Sequence, residues 1–169
     1  MKLFRTLLRV AVGALFVGHG TQKLFGWFDG HGLKATAEGF ENMGMHPGLA
    51  NAIAGGVAEA GGGVLTAAGF LTPLGGAGIT AAMLTAIHRV HLKNGPWATA
   101  GGYEYNLVLI LTVLALVEAG PGPLSVDALK GQERKGTLWA LASLAAAGAG
   151  SAGAHFAAAA LAPAPPAES

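Results

Sequence analysis

The first long apolar run of the chain, Phe4 to Phe25, contains two polar residues that constrain how the chain can fold. A helix of about 20 residues is long enough to cross a bilayer, and this run meets that length. His19 and Lys23 lie inside it, one helical turn apart. A lysine at the centre of a membrane helix costs roughly 2.5–3.5 kcal/mol. We therefore expect other apolar segments to supply polar partners at a similar depth.

Composition favours lipid over water as the main solvent. The chain is 52% hydrophobic and only 11% charged, whereas a soluble domain of ordinary composition carries about 25% charged residues. The net charge of +1 argues against a nucleic-acid partner, which would require a basic surface. The chain has no cysteine, which excludes disulfides, thiolate catalysis and thiolate metal sites.

Hydropathy predicts an all-α membrane protein, a four-helix transmembrane bundle with an additional fifth apolar helix at its C-terminal side. The bundle occupies residues 1–127, and its predicted spans are residues 4–25, 49–71, 74–92 and 103–119. Residues 128–136 form a cytoplasmic loop, and residues 137–161 form the additional alanine-rich helix. Residues 162–169 are rich in proline and alanine and are expected to be disordered.

The distribution of basic residues predicts a multi-pass protein of the plasma membrane with a cytoplasmic N-terminus. Lys2, Arg5 and Arg9 precede or begin the first span, and the loop after the fourth span carries Lys130 and Lys135. The basic start also resembles a signal peptide, but no small-x-small cleavage site follows it, so we expect an uncleaved helix.

The loop after the first span is expected to contain a short amphipathic helix on the outer leaflet. Leu33, Ala37 and Phe40 recur at i, i+4 and i+7, which is the spacing of one helix face.

Glu59 is the polar residue that is hardest to explain as packing alone. It lies about ten residues into the second span, near the midplane of a bilayer core of about 30 Å. Its neighbours at helical spacing are Gly55, Gly56, Gly62 and Gly63, which permit close helix packing or a cavity beside the carboxylate. Antiparallel helices of matched length should bring an outer layer of polar residues above Glu59, made of His19, Lys23, His88, His91 and Glu104.

Simpler interpretations of these residues stay open. Lys23 can snorkel to the membrane interface, and Glu104 can cap a helix N-terminus. No metal site is favoured, but His19, His88 and His91 could share a metal or a haem iron as an alternative, because imidazole suits both.

Four segments together resemble the DoxX family of membrane proteins. The first helix reads RVAVGALFVGHGTQKLFGWF, and a glycine-rich segment around Glu59 reads GGVAEAGGG. They are followed by NGPWATAGGYEY and by GPGPLSVD. Each motif is short, but their order and spacing resemble the family over residues 7–127. The fifth apolar segment lies outside this resemblance.

The resemblance implies a four-helix membrane bundle. Some members of the family are the membrane subunit of thiosulfate:quinone oxidoreductase, and others are associated with oxidative and thiol stress. The positions that match family motifs are His19, Lys23, Glu59, Gly102, Glu104 and Tyr105.

Our leading hypothesis is a redox-associated subunit, acting with quinone or with sulfur and oxidative-stress enzymes through an intramembrane pocket of His, Lys and Glu. In this hypothesis the chain belongs to a quinone-linked oxidoreductase. Glu59, His19 and Glu104 are the predicted catalytic residues. The predicted quinone-binding residues are His19, Lys23, Glu59, His88 and Tyr105.

Two other functions are open at this point. The chain could be a non-enzymatic scaffold that gathers soluble redox or sulfur-transfer proteins at its loop Lys130–Lys135. It could also carry a small solute, although the paired broken helices of many transporters are absent from the sequence. The predicted partners are the lipid bilayer, these soluble proteins and, as a further option, a second copy of the chain. The sequence does not identify a cofactor, and it leaves quinone open, with haem as the weaker alternative.

Overall fold

A computed structural model describes residues 2–163, and every regular element in this part of the chain is helical. The prediction of an all-α protein is therefore confirmed for these residues. The prediction of a disordered tail at residues 162–169 falls almost entirely outside them. The α-helices are α1 (Lys2–Phe25), α2 (Gly32–Asn42), α3 (Gly48–Ala68), α4 (Thr72–Ala86), α5 (Glu104–Ala119), α6 (Val126–Leu129) and α7 (Thr137–Ala160).

The connection between α4 and α5 departs from regular α-helix. A π-helix, Ile87–His91, follows α4 directly, and a short 3₁₀-helix, Leu92–Asn94, follows it. A second 3₁₀-helix, Ala98–Ala100, precedes α5. Helix α2 confirms the short helix expected in the loop after the first span.

The helices are arranged around a core contributed by α1, α4 and α5. Helix α3 packs against α1 and α4, and α2 covers α1 and α3 at one end. Helix α7 packs against α4 and α5 on the opposite side of α4 from α3. Its Ser143 hydroxyl donates to the carbonyl oxygen of Pro73 at 2.9 Å. The buried core side chains are Val12, Phe16, Ile79, Met83, Ile110 and Val113.

Helices α1 and α3 touch through glycines spaced seven residues apart on each helix. Gly13 and Gly20 of α1 face Gly63 and Gly56 of α3. A Cβ on Gly13 would lie 2.6 Å from the carbonyl oxygen of Gly63, and one on Gly20 would lie 2.5 Å from that of Gly56. Small residues of this kind let membrane helices approach backbone to backbone. This contact sets how closely the side chains of α1 and α3 meet.

The turn between α3 and α4 is held by Arg9, which is 2% exposed. Its guanidinium donates to the carbonyl oxygens of Thr66 at 3.0 Å, Ala67 at 2.6 Å and Leu124 at 2.6 Å. The first two belong to the last turn of α3, where free carbonyls form the negative end of the helix dipole. Arg9 therefore connects α1 to the end of α3.

Asp127 acts on the other side of the same turn. It is fully buried, and its Oδ1 accepts from the backbone N–H of Leu71 at 3.2 Å, at the start of α4. Its own N–H donates to the carbonyl oxygen of Gly69 at 3.0 Å. A carboxylate is favourable at the positive end of a helix. Through Asp127, the GPGPLSVD segment therefore stabilises the α3–α4 turn.

Glu41, at the end of α2, holds the start of α3. Its Oε1 accepts from the backbone N–H of Gly48 at 2.5 Å, and its Oε2 contacts the ring of His46. These hydrogen bonds, led by that of Gly48, hold the pKa of Glu41 below its ordinary value.

One helix in the described part of the chain, Leu3–Phe25, meets the length and hydropathy expected of a membrane span. Helices α4 and α5 contain 15 and 16 residues, fewer than the roughly 20 that a bilayer core requires. Helices α3 and α7, of 21 and 24 residues, are long enough, but they do not meet the same hydropathy criterion. The four-helix transmembrane bundle therefore stays a prediction.

Candidate functional site

Lys23 and Glu59 form an ion pair between α1 and α3. The Glu59 side chain is 6% exposed and that of Lys23 is 31% exposed. Lys23 lies one turn beyond Gly20, and Glu59 lies one turn beyond Gly56, so the glycine contact brings these two side chains together. Removing one partner of a buried pair leaves an uncompensated charge, which is strongly destabilising. The sequence analysis expected Lys23 to have a polar partner on another apolar segment, and Glu59 of α3 is in contact with it.

The pair lies on the wall of a cavity of about 570 Å³, a usual volume for a small-molecule site. The cavity is bounded by α2, α3, α4 and α7, with Lys23 reaching it from α1. Its wall consists mainly of small residues, including Ala35, Gly39, Ala54, Gly55, Ala58, Ala81, Ala82, Ala86, Gly150 and Ala154. These side chains leave room that larger residues would fill.

The cavity reaches the surface of the molecule. Ala54 of α3 and Gly150 of α7 both line it and are both exposed. The two helices pack on either side of α4 and scarcely touch each other. A ligand can therefore enter sideways, from whatever medium surrounds the helices.

The neutral polar groups of the wall are tied to neighbouring protein atoms. Asn51 donates to the carbonyl oxygens of Met45 at 3.2 Å and Pro47 at 3.0 Å. Thr85 of α4 and Ser151 of α7 share a hydrogen bond of 2.9 Å. These groups shape the wall, which leaves the charged residues as its main means of recognising a ligand.

Arg89, in the π-helix, is the third charged residue of the wall. Its Nη1 donates to the carbonyl oxygen of Met43 at a long 3.3 Å. Its Nε is buried and has no partner among residues 2–163. π-Helices occur often at functional sites. Arg89 is not among the site residues predicted from the sequence, because no motif marks it.

Glu104 and His91, two of the residues named from the sequence, make local contacts at this end of the fold. Glu104 begins α5, and its Oε1 accepts from the backbone N–H of Ala98 at 2.6 Å. His91 lies 2.7 Å, through Nδ1, from the carbonyl oxygen of Gly101. Both residues organise the loop before α5, and neither lines the cavity.

Three further predicted residues also lie outside the cavity wall. His19 is exposed on α1, and its ring packs edge-on against Phe16, with centroids 6.3 Å apart. His88 is exposed, and its ring packs against that of His155 on α7, with centroids 4.3 Å apart. Tyr105 is 58% exposed. Of the predicted site residues, the structure brings Lys23 and Glu59 together at the cavity, and the roles assigned to the others stay predictions.

The alternative metal site finds no support in the geometry of residues 2–163. No group of three or more histidine, aspartate or glutamate side chains in this part of the chain is arranged to hold a metal ion. His88 faces His155 and His91 faces a backbone carbonyl, so His19, His88 and His91 do not converge.

Comparison with known proteins gives one match. The family model described as DoxX matches residues 4–92, which is more than half of the chain and contains Lys23, Glu59 and Arg89. No curated protein and no solved structure matches the chain. Helices α5 and α7 lie outside the matched residues.

Proposed function

The chain belongs to the DoxX family of membrane-associated proteins, and we propose that it binds a quinone-like redox carrier in the cavity beside Lys23 and Glu59. In this proposal it is a multi-pass protein of the plasma membrane with a cytoplasmic N-terminus. Helices α1, α3, α4 and α5 cross the bilayer, joined by α7.

The surface of the helices supports a lipid environment for all of these segments. Large apolar side chains are exposed along the outer faces of five helices, at Leu7, Leu15, Val57, Val64, Leu74, Val108, Leu111, Leu141 and Leu144. Soluble proteins rarely expose apolar patches of this extent. The helices meet each other through glycine, alanine, serine and threonine, as membrane helices do.

The observation that carries the proposal is the Lys23–Glu59 pair on a cavity wall that is rich in small apolar residues. A quinone is a flat, apolar molecule with two carbonyl oxygens that accept hydrogen bonds. The Lys23 ammonium has three N–H donors and uses one on Glu59, so it can donate another to a quinone carbonyl. The small residues around the pair leave space for the ring.

Glu59 is the acid–base group of this proposal. Reduction of a quinone to a quinol takes up two electrons and two protons. Glu59 relays the protons to the carbonyl oxygens, as a positioned carboxylate does in general acid–base catalysis. The two electrons come from a soluble redox or sulfur-transfer enzyme that acts as the partner of this chain.

Binding of a short-chain ubiquinone to the protein in phosphatidylcholine nanodiscs tests the proposal. Glu59→Gln and Lys23→Met should each weaken binding about tenfold or more, since a hydrogen bond to a charged group contributes roughly 1.5–3 kcal/mol. Glu38→Gln and Lys34→Met are matched controls, because both residues are exposed on α2 and outside this cavity. Wild-type protein that binds no quinone, or cavity variants that bind as tightly as the controls, would refute it.

A further inference from the structure

The charges on the cavity wall do not balance. Lys23 and Glu59 compensate each other, and Arg89 contributes a second positive charge. Within residues 2–163 Arg89 forms no ion pair. Glu41, at the same end of the fold, is engaged by His46 and Gly48 instead. Arginine cannot lose its proton in a protein, so the wall keeps an uncompensated positive charge beside an apolar space.

The donors of Arg89 are also largely unused. A guanidinium has five N–H donors in a planar fork, and here a single bond of 3.3 Å to Met43 is made. The buried Nε has no acceptor among the described residues. This fork matches the paired oxygens of a carboxylate or a phosphate, which it binds through two parallel hydrogen bonds. Neutral carbonyl ligands would use less of it.

The space next to Arg89 is suited to an alkyl chain. Phe40 and the 1% exposed Met45 line the cavity from α2 and the turn that follows it, and alanines of α3 and α4 continue the wall. The exposed wall residues Ala54 and Gly150 show that this space reaches the outer surface of the helices. A charged head near Arg89 and a chain that extends to this surface together describe an amphiphile.

We propose that the cavity binds an anionic amphiphile, with its carboxylate or phosphate on the Arg89 guanidinium and its alkyl chain along the alanine-rich wall. The shared chemistry is a single anionic head on an apolar chain, available from a free fatty acid or from an anionic phospholipid. The site goes beyond the proposed quinone function, because it uses a different side chain and requires no electron transfer. Both ligands occupy one cavity, so they compete.

The test uses the full chain in phosphatidylcholine nanodiscs. Oleate is titrated against its neutral analogue oleyl alcohol, and phosphatidylglycerol is introduced in a parallel series. Bound copies are counted by native mass spectrometry. We expect one oleate or one phosphatidylglycerol per chain, with oleyl alcohol binding about tenfold or more weakly. Binding in the oleate series alone assigns a fatty acid, and binding in the other series alone assigns a phospholipid.

Variants locate the site. Arg89→Gln should weaken binding of the anion about tenfold or more, and Arg89→Lys should retain part of it, because lysine keeps the charge but lacks the fork. Lys93→Gln is the matched control, because Lys93 is exposed just after the π-helix and does not line the cavity. Equal binding by Arg89→Gln and wild type would overturn the proposal.

Two further comparisons keep the outcome decisive. If Arg89→Gln does not fold, the preference of wild type for oleate over oleyl alcohol decides, and the absence of that preference overturns the proposal. Quinone binding measured on the same samples separates the two functions. Oleate binding without quinone binding refutes only the quinone function, and quinone binding without a preference for the anion refutes only the Arg89 site.

Discussion

Replacement of Gly20 by alanine perturbs the contact that places Lys23 beside Glu59. The added Cβ would meet the backbone N–H of Ala60 and would lie 2.5 Å from the carbonyl oxygen of Gly56. Ordinary van der Waals contact begins at 3.4 Å. Because the obstructing atoms belong to the backbone, no side-chain rotation can relieve the clash. The nitrogen of Ala60 would be nearest, at 2.4 Å, so α1 and α3 must separate locally by about 1.0 Å, the difference between 3.4 Å and 2.4 Å.

The expected loss in the free energy of unfolding follows from the overlap of the added Cβ with these backbone atoms. Overpacking of a tight core typically costs about 1–3 kcal/mol, and the rigidity of two helix backbones favours the upper part of that range. Alanine at a helical glycine returns about 0.5–1 kcal/mol through backbone entropy. We therefore expect Gly20→Ala to lower the free energy of unfolding by about 2 kcal/mol.

Gly18 provides a matched control on the same helix, because a Cβ there would meet nothing within 4 Å. Gly18→Ala should stabilise the protein by the entropy contribution of about 0.5–1 kcal/mol alone. Thermal unfolding in detergent, followed by circular dichroism, measures both variants. For a chain of this size the midpoint should fall by about 4–8 °C in Gly20→Ala and rise slightly in Gly18→Ala. Equal midpoints for the two variants would show that the α1–α3 backbone contact is not formed.

Two other predictions concern the ends of the helices. Arg9→Met should lower the free energy of unfolding by about 1.5–3 kcal/mol, because buried carbonyl oxygens lose a charged donor. Arg134→Met, at a surface loop, should change it by no more than about 0.5 kcal/mol, and equal denaturant midpoints for these two variants would contradict the role of Arg9. The pKa of Glu41 in the folded chain is lower than its ordinary value of 4.5, so the ionised carboxylate stabilises the fold at pH values above 4.5. This contribution is lost as the pH falls through the folded pKa. The variant Glu41→Gln has no titratable group beside Gly48. Its melting temperature should therefore fall less than that of wild type between about pH 5 and about pH 3. Parallel curves of melting temperature against pH would contradict this.

The sequence predicts where the helices lie because long apolar stretches and glycine turns are strong local signals. Helices α1, α3, α5 and α7 begin and end within a few residues of the segments expected from hydropathy. The π-helix Ile87–His91 has no such signal, and it ends the regular helix before the expected boundary at residue 92.

The sequence predicts the site only in part, because depth along a helix axis does not fix direction around it. Matched antiparallel helices place His19, Lys23 and Glu104 at a similar depth, but a helix turns about 100° per residue. A common layer can therefore contain residues that face different sides. Lys23 and Glu59 meet because glycines on their own faces define the α1–α3 contact. No comparable glycine contact directs His19 toward the cavity.

Helix α7 forms part of the cavity wall without contributing a charged group to it. It is joined to α4 by the hydrogen bonds of Ser143 with Pro73 and of Thr85 with Ser151, and otherwise by small residues. The charged groups of the cavity wall all lie on α1, α3 and the π-helix. In both proposals, the region from α1 to the π-helix would therefore determine which ligand binds, and the position of α7 would affect how quickly that ligand leaves.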